Sequence, residues 1–127
     1  MYGSEVRSLL YPFLLLLIHE RPDHGYDLID RLPCLEVTGV EPGHVYKMLR
    51  NLERRRLVAS AWVTSPAGPA RRQYELTALG KTELTAWMTR LAQLHSALGA
   101  CLARWEKGSG SPDGQTLDGK PGRYVIS

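Results

Sequence analysis

Two cysteines, one phenylalanine and a formal net charge of only +3 in 127 residues set several kinds of protein aside. Cys34 and Cys101 have neither close pairing nor metal-ligand spacing, so both are expected as free thiols in a reducing compartment. No apolar run approaches the roughly 20 residues that span a bilayer. The longest, residues 9–18, is preceded by Glu5 and Arg7 and followed by His19, Glu20 and Arg21, unlike a secretory signal. A buried helix and a cytoplasmic location are expected, with no membrane partner. Also missing are a glycine-rich phosphate loop, a histidine pair on one helical turn and a nucleophile beside a base. His19, His24, His44 and His95 are scattered, so no catalytic residue, metal or cofactor is expected, and the chain does not read as an enzyme.

The length suits one domain with a real core but not two of ordinary size. What charge there is lies unevenly. Between residues 41 and 77, seven basic side chains (Lys47, Arg50, Arg54, Arg55, Arg56, Arg71, Arg72) face three acidic ones (Glu41, Glu53, Glu75), a net of +4. The remainder is close to neutral. Such a cluster suits a polyanion, because phosphate contacts with counterion release supply most non-specific nucleic-acid affinity. A merely solvated basic face is the alternative.

Apolar periodicity predicts a first helix over about residues 5–20, through Leu9, Leu10, Phe13, Leu14, Leu17 and Ile18. Pro12 suits its true beginning, with residues 8–11 leading in. In a short segment over residues 25–32, Tyr26, Leu28, Ile29 and Leu32 share a buried side, and Pro33 ends it. Glu41, Pro42 and Gly43 then open a third helix to about Arg55, with Val45, Leu49 and Leu52 as its core face. Its opposite face carries Lys47, Arg50, Asn51 and Arg54, with His44 at the edge. In a major groove, Arg and Lys pair with guanine edges or phosphates, and Asn with adenine.

Residues 57–63 and 73–77 have strand character, and residues 64–70 read as a long loop between them. Arg71 and Arg72 would then stand at the base of the hairpin, near a phosphate or minor groove. Thr77 is a candidate N-cap for a last helix reaching about Lys107. Along it Leu84, Trp87, Leu91, Leu94, Leu98, Cys101 and Trp105 recur at alternating steps of three and four, a heptad seam suited to a homodimer interface. Packing on the protein's own first helix is the alternative. From Gly108 on, ten of the twenty residues are glycine, serine or proline, which reads as a flexible tail.

The fold class expected is mainly α with a small β-hairpin (α+β): a winged helix-turn-helix over residues 1–77, a dimerisation helix over 78–107 and a tail over 108–127. Four blocks in this order resemble the PadR family of bacterial transcriptional regulators. They are Pro12-Phe13-Leu14-Leu15-Leu16-Leu17, His24-Gly25-Tyr26-Asp27-Leu28, Pro42-Gly43-His44-Val45-Tyr46-Lys47-Met48-Leu49-Arg50-Asn51-Leu52-Glu53, and Gly68-Pro69-Ala70-Arg71-Arg72-Gln73-Tyr74-Glu75-Leu76-Thr77 followed by Gly80.

The resemblance implies a dimer that binds double-stranded DNA through two recognition helices and two wings, with repression relieved by a small molecule or signal. It puts Tyr46 and the basic face of its helix among the DNA contacts, and Arg71 and Arg72 on the wing. The single C-terminal helix resembles a shorter subfamily, some of whose members hold flat apolar ligands between paired final helices. On that basis Trp87 and Leu91 are candidates for a small apolar effector. His44 replaces a usual small hydroxyl residue, and Lys47 a frequent proline, so operator preference does not carry over. A winged helix that binds an acidic protein partner instead is the competing function.

Overall fold

Residues 10–18 are so apolar that the helix they form must be covered on most sides, and a computed structural model, which describes residues 9–108, shows it at the centre of the core. Helix α1 is Leu10–Glu20, with Leu10, Leu14, Leu15, Leu17 and Ile18 buried and Phe13 only partly so. It begins two residues before Pro12. The proline stands in the first turn, where its missing N–H would have had no intrahelical partner anyway. The expected start near Glu5, and the tail beyond Gly108, lie outside the described residues.

The order continues with β1 (Asp23–His24), α2 (Gly25–Arg31), a 3-10 turn (Leu32–Leu35), α3 (Pro42–Arg54), β2 (Val58–Ser65), β3 (Gly68–Leu76) and α4 (Ala78–Gly108). Leu28, Leu32, Val37, Val45, Leu49 and Leu52 meet α1 in one core, each buried leucine contributing roughly 1.5–3 kcal/mol. Tyr26 departs from expectation: it is 62% exposed, because only Gly25 and Leu28 of α2 turn fully inward. Gly25 is required by close approach, since a Cβ there would run into the Tyr46 ring and the Leu49 side chain of α3.

The small sheet has three antiparallel strands in the order β1-β3-β2, where a hairpin alone was expected. Asp23 and His24 pair with Tyr74 and Gln73. The expected long loop over residues 64–70 is not there. Strands β2 and β3 stay paired out to Ser65 and Gly68, with an irregularity between Val63 and Ser65 and a turn at Pro66 and Ala67.

Helix α3 closes with a backbone motif that needs no side chain. Arg56 N donates to Glu53 O (2.9 Å) and Leu57 N to Leu52 O (2.9 Å), with Arg56 in the left-handed region at φ 63°. Thr77 caps α4 as expected, its Oγ1 accepting from Gly80 N at 2.9 Å. Packing divides the chain into two compact units, Met1–Trp87 and Met88–Ser127. In the described part of the second unit, α4 continues alone, with Leu94, Leu98 and Trp105 exposed.

Candidate nucleic-acid interface

Helix α3 positions the basic side chains through its own amphipathicity. With Val45, Leu49 and Leu52 fully buried, the 3.6-residue period turns Lys47, Arg50 and Arg54 outward, all exposed, with Asn51 half-buried among them. His44 and Tyr46 are also half-buried, Tyr46 because its ring edge packs at Gly25. Among the described residues, no ion pair engages Lys47, Arg50 or Arg54. Three unneutralised cations and an amide thus share one face.

The two wing arginines differ from these in being held. Arg71 and Arg72 stand in the middle of β3, opposite Val63 and Trp62, rather than where the strand begins. Arg71 lies 3.9 Å from Asp27 of α2. Arg72 Nε donates to Ser60 Oγ (3.0 Å), Ser60 donates to Glu53 Oε2 (2.7 Å), and Arg72 Nη2 lies 3.6 Å from the same carboxylate. The guanidinium also lies 5.5 Å from the centre of the Trp62 ring. Sequence reasoning passed over Trp62, Ser60 and Glu53 as a group, because only strand register brings them together.

The remaining arginines of the cluster serve the fold. Arg55 packs over the Tyr11 ring at 5.1 Å, and Arg56 supplies the left-handed residue after α3. Ligand atoms of Asp23, His24 and Asp27 lie within 4.8 Å of one another, near enough for a cation. Each is already engaged. Asp23 accepts from Arg21, Arg31 and His24 N, Asp27 faces Arg71, and His24 Nδ1 is 3.1 Å from Arg72 O. Burial acts to raise the Asp23 pKa, but the His24 N–H, Arg21, Asp27 and Arg31 together outweigh it and hold the carboxyl below its ordinary value. Burial likewise pushes the Tyr74 phenol up.

The heptad residues fall into two sets. Leu84 is buried in the first unit's core, and Trp87 is half-buried with its ring 6.1 Å from that of Tyr11. The Tyr11 hydroxyl is buried without a hydrogen-bond partner among the described residues. In the second unit Leu91 is half-exposed, while Leu94, Leu98, Cys101 and Trp105 are exposed. No described helix is long and apolar enough to cross a membrane.

Two short helices in sequence, the second amphipathic and basic, followed by a paired-strand wing, define the winged helix-turn-helix class of nucleic-acid-binding proteins. Comparison with known proteins narrows this. The model of the transcriptional regulator PadR-like family matches residues 14–86, so the chain belongs to that family, one of DNA-binding transcription regulators. A PadR-like transcription factor from Bacteroides fragilis is similar at 29% identity and TM-score 0.63, covering 77% of this chain and 95% of its own. A PadR family transcriptional regulator from Eggerthella lenta is similar at 26% identity and TM-score 0.66, over 76% and 83% of the two chains. A PadR-like transcriptional regulator from Bacillus cereus, at 22% identity, shares the fold with TM-score 0.73 over 79% and 97%. Comparison with curated proteins gives no match.

Proposed function

We propose that this transcription regulator is a cytoplasmic, sequence-specific repressor that binds a palindromic operator as a homodimer and responds to a small apolar effector. The observation that carries the reading is the outer face of α3, where Lys47, Arg50 and Arg54, exposed and without an ion pair among the described residues, stand beside Asn51. This face enters a major groove, with His44 and Tyr46 at its flank. Arg71 and Arg72 of the wing meet the adjacent backbone. The half-exposed Leu91 and the exposed Leu94, Leu98, Cys101 and Trp105, continuing the seam from Leu84 and Trp87, join two copies. Two-fold pairing then sets half-sites about one helical turn apart.

The effector would act at Trp87, with Leu91 one turn further along the same helix. What supports this is the Tyr11 hydroxyl beside the Trp87 ring, buried without a hydrogen-bond partner among the described residues, a cost of roughly 1–3 kcal/mol that a ligand acceptor would relieve. Occupancy that shifts α4 would change the separation of the two reading heads.

The test is a titration of the purified protein against DNA from upstream of its own gene and against an unrelated fragment, at two salt concentrations. Tight, salt-sensitive binding to the first alone is the expected result. Weak, sequence-blind binding to both would instead favour a winged helix that docks an acidic protein.

A further inference from the structure

Strand register places Trp62 opposite Arg72 and Ser60 opposite Tyr74, so these four side chains share one face of the hairpin. The root of that face is core: Val58 and Tyr74 are buried. One step out, Ser60 meets Glu53, so the face looks toward α3. A further step out, cover ends and Trp62 stands 65% exposed with a guanidinium over its ring. Arg72 is not a loose side chain. Ser60 of β2 and the Glu53 carboxylate of α3 hold it in place, so wing and helix share one hydrogen-bonded joint.

We propose that Trp62 and Arg72 together form a contact surface for the sugar–phosphate backbone of duplex DNA, with Ser60 and Glu53 as positioning residues for Arg72. This rests on the DNA-binding reading above and names two groups of residues that it lacked. An indole offers a flat apolar face that suits a deoxyribose and one N–H that suits a phosphate oxygen. A guanidinium has five N–H donors, and the Ser60 and Glu53 contacts leave several for a phosphate.

The surroundings select this occupant over an apolar protein surface. Among the described residues, Val63 is the other large exposed apolar side chain of the hairpin and points to the opposite side of the strand, while the neighbour of Trp62 on its own face is the Arg72 cation. Lys47, Arg50 and Arg54 lie on the helix to which the joint is tied. Because the contact is to the backbone, it adds affinity for every sequence alike and rigidifies the angle between wing and helix.

The experiment measures binding of the full chain to a mixed-sequence DNA duplex by fluorescence anisotropy across a series of salt concentrations. It compares the wild type with Trp62→Ala, Trp62→Phe, Arg72→Ala, Ser60→Ala and Ser60→Thr. Trp62→Ala is expected to weaken binding at least about fivefold with an unchanged salt slope, and Trp62→Phe to lose less. Arg72→Ala is expected to lower the slope by about one, Ser60→Ala to reproduce part of that change, and Ser60→Thr to restore it. Equal thermal stability of wild type and variants separates these effects from unfolding, and Trp62 is exposed enough for that control to hold. If the wild type binds and Trp62→Ala binds as well, the Trp62 contact is refuted while the DNA-binding reading stands. A wild type that binds no duplex at any salt overturns both.

Discussion

The Arg31 guanidinium donates to Asp23 Oδ2 at 3.1 Å, with only 16% and 12% of the two side chains exposed. The same guanidinium donates to Leu17 O at 2.8 Å and Arg21 O at 3.3 Å, two carbonyls at the end of α1. One charge pair therefore joins α1, β1 and α2, the frame on which α3 rests.

Acid should loosen that frame. The Asp23 pKa is held below its ordinary 3.8, so its contribution to stability is complete above that value and is lost as pH falls through the lower, folded one. Wild-type protein followed by thermal denaturation from pH 7 down to pH ~3 should lose stability steeply at the acid end. Asp23→Asn should be less stable at neutral pH by about 2 kcal/mol, since it leaves the partly buried Arg31 cation only the more distant, exposed Glu20 carboxylate at 3.7 Å, and should show a flatter acid limb. Parallel acid limbs for the two proteins would remove Asp23 from this role.

The junction between wing and α4 rests on Thr77 and Gly80. Thr77 Oγ1 donates to Arg56 O at 2.7 Å and accepts from Gly80 N, while a Cβ on Gly80 would run into Leu57 O and Leu76. Thr77→Ala should cost about 1–2 kcal/mol, as lost caps do, and Thr77→Ser much less. Gly80→Ala should cost more than Thr77→Ala, because backbone rather than a flexible side chain must yield. Chemical denaturation of the three variants would rank them, and a Gly80→Ala variant as stable as wild type would contradict the tight approach.

Arg56 holds φ 63°, a conformation that costs an L-residue about 1–2 kcal/mol and glycine little. Its backbone completes the end of α3, while its side chain is exposed. Arg56→Gly should therefore stabilise the protein by about 0.5–1 kcal/mol after the extra entropy lost by glycine is counted. A lowered melting temperature would mean that the Arg56 side chain contributes more than its exposure suggests.

How far these features could be read in the sequence follows from the range of the interactions that make them. The helices α1, α3 and α4 came from apolar spacing, and the Thr77 cap from one residue type at one place, all local signals. The hairpin tip did not, because Thr64, Ser65, Pro66, Ala67, Gly68, Pro69 and Ala70 are the composition of a loop. The strands nonetheless stay paired out to Ser65 and Gly68, and β1 flanks β3 only at Gln73 and Tyr74, so Pro69 has no neighbour on that side to which its missing N–H would matter. Tyr26 was placed inward by spacing, but α2 is a short helix that buries few side chains. The joint of Glu53, Ser60, Arg72 and Trp62 spans three elements, and its members meet only once register is known.

The proposed dimerisation through α4 makes a separable prediction. Leu98 is exposed in the described chain and lies on the heptad row with Leu94 and Trp105. Leu98→Asp would put a charge at the centre of a paired apolar seam, where it has no partner, yet on a lone helix it would be solvated at little cost. Sedimentation should show wild type as a dimer and the variant as a monomer with unchanged helix content. A variant that remains dimeric would move the interface elsewhere.

Lys47 tests the reading helix without touching the seam. It is exposed on α3, and no described carboxylate pairs with it, so removing it disturbs neither core nor ion pair. Lys47→Ala should leave stability and dimerisation unchanged while weakening operator binding by about 1–3 kcal/mol if it reads a base, or lowering the salt slope by about one if it meets a phosphate. The two cases differ in a second readout: loss of a base contact relaxes preference at one operator position, whereas loss of a phosphate contact weakens all sequences alike. Equal affinity for wild type and variant on every sequence would exclude Lys47 from the interface and shift the contact surface toward Arg50, Asn51 and Arg54.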